Sequence, residues 1–298
     1  MHRLLVTALA ALLIVPAALA GGRSGFNVSI STDDWEEITR CDQIRVTIDD
    51  EPAARAEEKI DGSALRSLTA RADQNGGVRV VGWDGTGYAI TACKAARNAA
   101  DLARIHASLR GNELTADGSE DLRAVLYFLV RAPRNAVLTL EANNGELAIH
   151  NVIGNVTAAT TNGPISIKGS SGTISAEAQN GPIALSGGSG TVKLNAQNGP
   201  ISVKLAGSAW DGTLDAHTQN GPLSLKVPRH YRSGVVVESD GHSPFSCRAE
   251  ACRNAIRKWG SDDDDDSDDD SRRVELGSGA TVVRMSTHNG PVSVRERD

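Results

Sequence analysis

Along the middle of the chain, aliphatic and polar positions alternate in blocks that recur every 18 residues, each block built around an Asn-Gly pair. Asn-Gly-Pro stands at Asn162, Asn180, Asn198 and Asn220 and again at Asn289, with Asn144-Gly145 one step upstream. Three residues after each Asn come Leu147, Ile165, Ile183, Ile201, Leu223 and Val292; five after it come Ile149, Ile167, Leu185, Val203, Leu225 and Val294. The positions between and beyond them are small or polar. Upstream of each Asn a second alternating segment places Leu138, Val156, Ile174, Val192, Leu214 and Val283 six residues before it. Period two with one apolar face predicts strands, and a short fixed period predicts a stack of like units.

Two strands per repeat fit either a meander of hairpins or a coil whose equivalent strands pair in parallel. Proline separates the two. A tight Asn-Gly hairpin needs the residue after Gly to donate its N–H across the turn, and Pro164, Pro182, Pro200 and Pro222 have none to donate. At the first residue of a strand leaving a corner the missing donor is tolerated. The expected fold is therefore all-β, a parallel β-solenoid of about 18 residues and two strands per coil. Stacking would put Gln179, Gln197 and Gln219 into a side-chain ladder. Four or five buried aliphatic side chains per coil, at roughly 2 kcal/mol each, barely match the entropy of ordering a coil, so no coil stands alone.

The repeat divides the chain. Residues 1–20 read as a signal peptide: basic His2 and Arg3, an apolar run from Leu4 to Leu19, and small residues at Ala18 and Ala20. An uncleaved membrane anchor is the alternative, disfavoured by the short run and Pro16. The 18-residue spacing is not found in residues 21–124, which read as an α+β or β cap with a short helix within Ala95 to Ile105. Coils occupy residues 125–241, beginning with a strand at Val125 to Val130 that is apolar at every position. Residues 242–271 form a Cys- and Asp-rich insertion with a helix expected from Arg248 to Trp259, and residues 272–298 resume a final coil.

Composition narrows the chemistry. Lys and Arg number 31 against 37 Asp and Glu, so nucleic acid is not the expected partner. Three Phe and three Tyr suit a thin aliphatic core. Cys41, Cys93, Cys247 and Cys252 allow three disulfide pairings; locality favours Cys41 with Cys93 and Cys247 with Cys252. The run containing Asp262, Asp264, Asp266, Asp268 and Asp270 reads as a solvated acidic segment. Calcium capture is the sharper alternative, although the glycine and final Glu of a formed loop are missing. No cofactor is expected.

Catalytic signatures are sparse: the sequence has no His-Glu-x-x-His, no Gly-x-Ser-x-Gly and no phosphate loop. Glu141 and Glu177 share an outward column, two coils and about 10 Å apart, slightly beyond the separation of an inverting glycosidase pair. No catalytic residue is assigned. A second outward column reads His150, Lys168, Ser186, Lys204, Lys226. It is either ordinary solubilising charge or, through Lys168, Lys204 and Lys226, a basic strip for an acidic polymer.

Short coils that open with Asn-Gly, a secretory leader and a non-repetitive N-terminal part together resemble the bacterial "putative adhesin" family of domains of unknown function. The likeness covers roughly Val125 to Val237 and the last coil, and more loosely the segment from Cys41. It implies a β-solenoid at the cell envelope and carries no catalytic residues. The expected function is an exported, non-enzymatic structural, adhesive or interaction module, periplasmic or extracellular, with an envelope polymer or protein as partner. The contrasting expectations are a carbohydrate-active enzyme and an envelope-stress sensor.

Overall fold

The computed structural model describes residues 28–32, 38–117, 124–240, 243–254, 256–258 and 272–297. The expected leader at 1–20 and the aspartate run at 262–270 lie outside the described residues. What is described is all-β: one large sheet of 21 strands and a small sheet of three.

Each Asn-Gly repeat forms one rung, with a strand before the Asn corner and a strand after it, and rungs pair in parallel. Ile165 lies beside Ile183 and Ile183 beside Ile201, all at most 1% exposed. Val156, Ile174, Val192 and Leu214 form the facing file on the upstream wall. Two walls thus enclose one continuous aliphatic core.

The corners show why the sequence repeats as it does. Proline donates nothing, but its carbonyl accepts from the preceding rung: Ile165 N–H to Pro182 O, Ile183 to Pro200 and Ile201 to Pro222, at 2.9 to 3.0 Å. The expected glutamine ladder is replaced by one of asparagine, one position further on. Each Asn Nδ2 donates to the Oδ1 of the rung before, from Asn162 on Asn144 through Asn289 on Asn220, at 3.0 to 3.1 Å. The shorter side chain reaches its copy directly above, whereas Gln179, Gln197 and Gln219 make no side-chain hydrogen bond among the described residues. Glycine follows Asn because rungs touch there: a Cβ on Gly181 would lie 2.1 Å from the Gly163 carbonyl oxygen.

At the N-terminal end, one rung lies inside residues 21–124. Ser67–Trp83 runs parallel to Val137–His150, with Leu68 on Leu138, Asn75 on Asn144, Gly76 on Gly145 and Val78 on Leu147. A bulge hides it, because one extra residue separates Ala72 from Asn75 relative to Ala142 and Asn144. Above it, Ala124–Pro133 pairs parallel with Ser67–Trp83 and antiparallel with Tyr88–Ala96. Both its faces are buried: Leu126, Phe128 and Val130 join the main core, while Val125, Tyr127 and Leu129 join a second core with Ile38, Ile44, Val46 and Ile48. The helix expected within Ala95 to Ile105 shrinks to one turn, Ala99–Leu102, capped by Asn98, because Ala95 and Ala96 are taken up in strand pairing.

The small sheet over the second core comprises Val28–Thr32, Ile44–Ile48 and Glu51–Pro52. The Cys41–Cys93 disulfide, Cα atoms 5.3 Å apart, ties it to the large sheet. Cys247–Cys252 closes a much shorter loop at the other end. With separations of 52 and 5 residues, chain entropy assigns them about 4 and about 2 kcal/mol. Thermal unfolding should therefore fall further for Cys41→Ser/Cys93→Ser than for Cys247→Ser/Cys252→Ser.

At the C-terminal end the rungs are laid out of order. After Leu223–Val227 the chain skips a position, and Gly234–Ser239 and Phe245–Cys247 form the outer rung. Thr281–Asn289 and Val292–Glu296 then fill the slot, pairing with Gly212–Asn220 and Leu223–Val227 on one side and with the outer rung on the other. The coil expected to be final is thus next to last in space. The helix expected from Arg248 to Trp259 is instead a 3-10 turn, Glu250–Asn254, followed by a short strand, Ile256–Lys258. The four extra residues before Asn220 seat Trp210 against the core, its indole donating to Gly190 O at 3.0 Å.

Candidate functional site

The register lines up one outward position on the downstream wall across the molecule. In spatial order it reads Arg131, Val81, His150, Lys168, Ser186, Lys204, Lys226 and Arg295. Arg248 extends it, since its N–H donates to Val294 O at 2.8 Å, just beyond the outer strand. At a strand spacing of about 4.8 Å the row from Arg131 to Arg248 spans roughly 38 Å. Lys168, Lys204 and Lys226 make no ion pair among the described residues. Ion pairs form elsewhere, as in Arg229 with Glu296 and Arg134 with Asp84, at 2.6 Å each. The next outward column inward is small: Ser166, Ala184, Ser202, Ser224, Ser293.

Like charges one rung apart repel by about 0.9 kcal/mol even at the dielectric constant of water. Such a row, in a chain of net charge -6, concentrates positive potential in one strip. The repeat spacing identifies Lys168, Lys204 and Lys226. It does not reach Arg131 or Arg248, which sit in non-repeating segments and join the row only through strand register.

On the upstream wall the column Glu141, Ala159, Glu177, Asn195 borders an open groove of about 500 Å³. Arg71 meets Glu141 at 3.4 Å and Glu113 at 3.1 Å. Glu177 is exposed and has no ion pair among the described residues. Ala159, between the two glutamates, leaves a notch. The carboxylates expected of a carbohydrate-active site are thus brought to one groove, but no aromatic side chain lines it.

A buried polar cluster locks the first corner. Glu146 stands where later rungs have proline; it accepts from Tyr127 Oη at 2.8 Å and Arg79 at 3.0 Å. Burial, reinforced by the charge of Glu146, pushes the Tyr127 hydroxyl far up, so it stays a donor. This cluster is structural, since it holds the capping strand to the first rungs.

Among the described residues no group of three or more His, Cys, Asp or Glu side chains could hold a metal ion, and no helix is long and apolar enough to cross a membrane. The aspartates considered for calcium lie outside those residues.

No family model and no curated protein matches the chain. Among solved structures it is similar to a "putative cell adhesion protein" from Clostridium sporogenes, at 7% identity and a TM-score of 0.30, the match covering 82% of this chain and 100% of that one. It is also similar to a "putative adhesin" from Parabacteroides distasonis, at 13% identity, a TM-score of 0.30 and coverage of 82% and 97%. A third neighbour, a "putative lipid binding protein" from the same species, shows 10% identity, a TM-score of 0.25 and the same coverage. Bacterial proteins described as adhesins are thus among its structural neighbours.

Proposed function

We propose that the rungs form a parallel β-solenoid acting outside the cytoplasm as a non-enzymatic interaction module, which grips an anionic envelope polymer along its basic row. The observation that carries this reading is the file of Lys168, Lys204 and Lys226, unpaired among the described residues and continued by Arg295. Self-repulsion within the row is relieved when a polyanion lies along it. Two disulfides support an oxidising compartment. The repeat commits its residues to stacking, which favours an adhesive or scaffolding role over catalysis.

The test is binding of the full chain to dextran sulfate across a salt series. Wild type should bind at low salt and weaken as salt screens the row. Lys168→Ser/Lys204→Ser/Lys226→Ser should bind about 100-fold more weakly at low salt, at about 1 kcal/mol per cation near an anionic surface. Equal affinity for the two proteins would reject the reading.

A further inference from the structure

We infer that the groove on the upstream wall is a second binding site, separate from the basic row, for an amine-bearing polysaccharide chain. Three observations converge on that ligand. First, its volume of about 500 Å³ falls in the range of ligand sites, and it crosses several rungs, so it fits a linear polymer rather than a compact molecule.

Second, the polar side chains along it are unspent. Asn143, Thr161, Gln179, Asn195 and Gln197 line the groove and make no side-chain hydrogen bond among the described residues. Amides and hydroxyls repeated from rung to rung offer both donors and acceptors, the complement of a chain of sugar hydroxyls.

Third, the charge is negative. Glu141 is shared with Arg71, whereas Glu177 is exposed and makes no ion pair among the described residues, and the Ala159 notch opens between them. An ammonium group seated in the notch would meet carboxylate on both sides.

Calorimetric titration of the full chain with a β-1,4-linked glucosamine tetramer tests the assignment, with the N-acetylated tetramer and tetralysine as comparisons. The glucosamine tetramer should bind more tightly than either. Glu177→Gln should weaken it about tenfold, as for loss of a charged hydrogen-bond partner. Ala159→Leu, which fills the notch, should abolish binding, and the triple lysine variant should leave it unchanged. Both groove substitutions lie on an outward column, and an unaltered thermal transition would show the fold intact. No heat with the glucosamine tetramer, or the same affinity in Glu177→Gln, would overturn the site. Equal binding of the acetylated tetramer would overturn its charge preference, and equal binding of tetralysine its assignment to sugar. Loss of binding in the triple lysine variant would overturn its independence from the row.

Discussion

Replacing Gly181 by valine is expected to lower the unfolding temperature by about 10 °C, the equivalent of about 3 kcal/mol in a chain of this size. The cause is contact between backbones, which no side-chain rotation can relieve. A Cβ at Gly181 would lie 2.1 Å from the carbonyl oxygen and 2.7 Å from the carbonyl carbon of Gly163. The same contact recurs with Gly199 over Gly181. Accommodating the new atom would part the rungs and stretch the neighbouring bonds to the proline carbonyls and along the asparagine ladder. Gly207→Ala is the control: its Cβ meets nothing within 4 Å, so only its positive φ of 66° is penalised, by about 1 kcal/mol. Thermal denaturation of both variants settles the matter, and equal transitions would refute close rung contact as the reason for the glycine column.

A larger regional effect is expected from Val294→Asp. Val294 is 0% exposed in the strand that fills the skipped slot, and an unpaired carboxylate there costs about 4 kcal/mol. The outer rung, Gly234–Ser239 with Phe245–Cys247, reaches the remaining rungs through this inserted pair of strands. Loss of the insert should therefore detach everything after Val227 as one unit. Hydrogen exchange should show the described residues between 228 and 297 losing protection while those between Ser67 and Val227 keep it. Val137→Asp, at a position 46% exposed, should change stability by no more than about 0.5 kcal/mol. Protection lost only around Val294 itself would refute the dependence of the outer rung on the insert.

Where the chain repeats, its sequence spells out its own neighbours, because parallel register requires the same residue type at the same place in each rung. Ile165, Ile183 and Ile201 can be read as one internal file, and Lys168, Lys204 and Lys226 as one external row, from spacing alone. Spacing fails wherever register is kept by other means. The Asn75 rung is disguised by a bulge and by Gly77 in place of proline. The Asn289 rung sits on Asn220 across 69 residues, and nothing local reveals that the intervening segment lies further out. Arg131 and Arg248 enter the basic row through those same non-repeating parts. The glutamine ladder was misplaced by one residue, because corner geometry, which decides which amide reaches its copy, is invisible to periodicity. The column of Glu141 and Glu177 is legible from spacing, whereas the groove it borders is a matter of shape that spacing does not encode.

Consecutive units 163–180 and 181–198 occupy superposable positions, down to the residue-for-residue pairing of their strands. One unit more or less would change the height of the molecule by about 4.8 Å and leave both ends chemically as they are. Height is therefore a dimension that duplication or loss of a short gene segment can adjust in even increments, like marks on a gauge, with the reach of both walls lengthening in step.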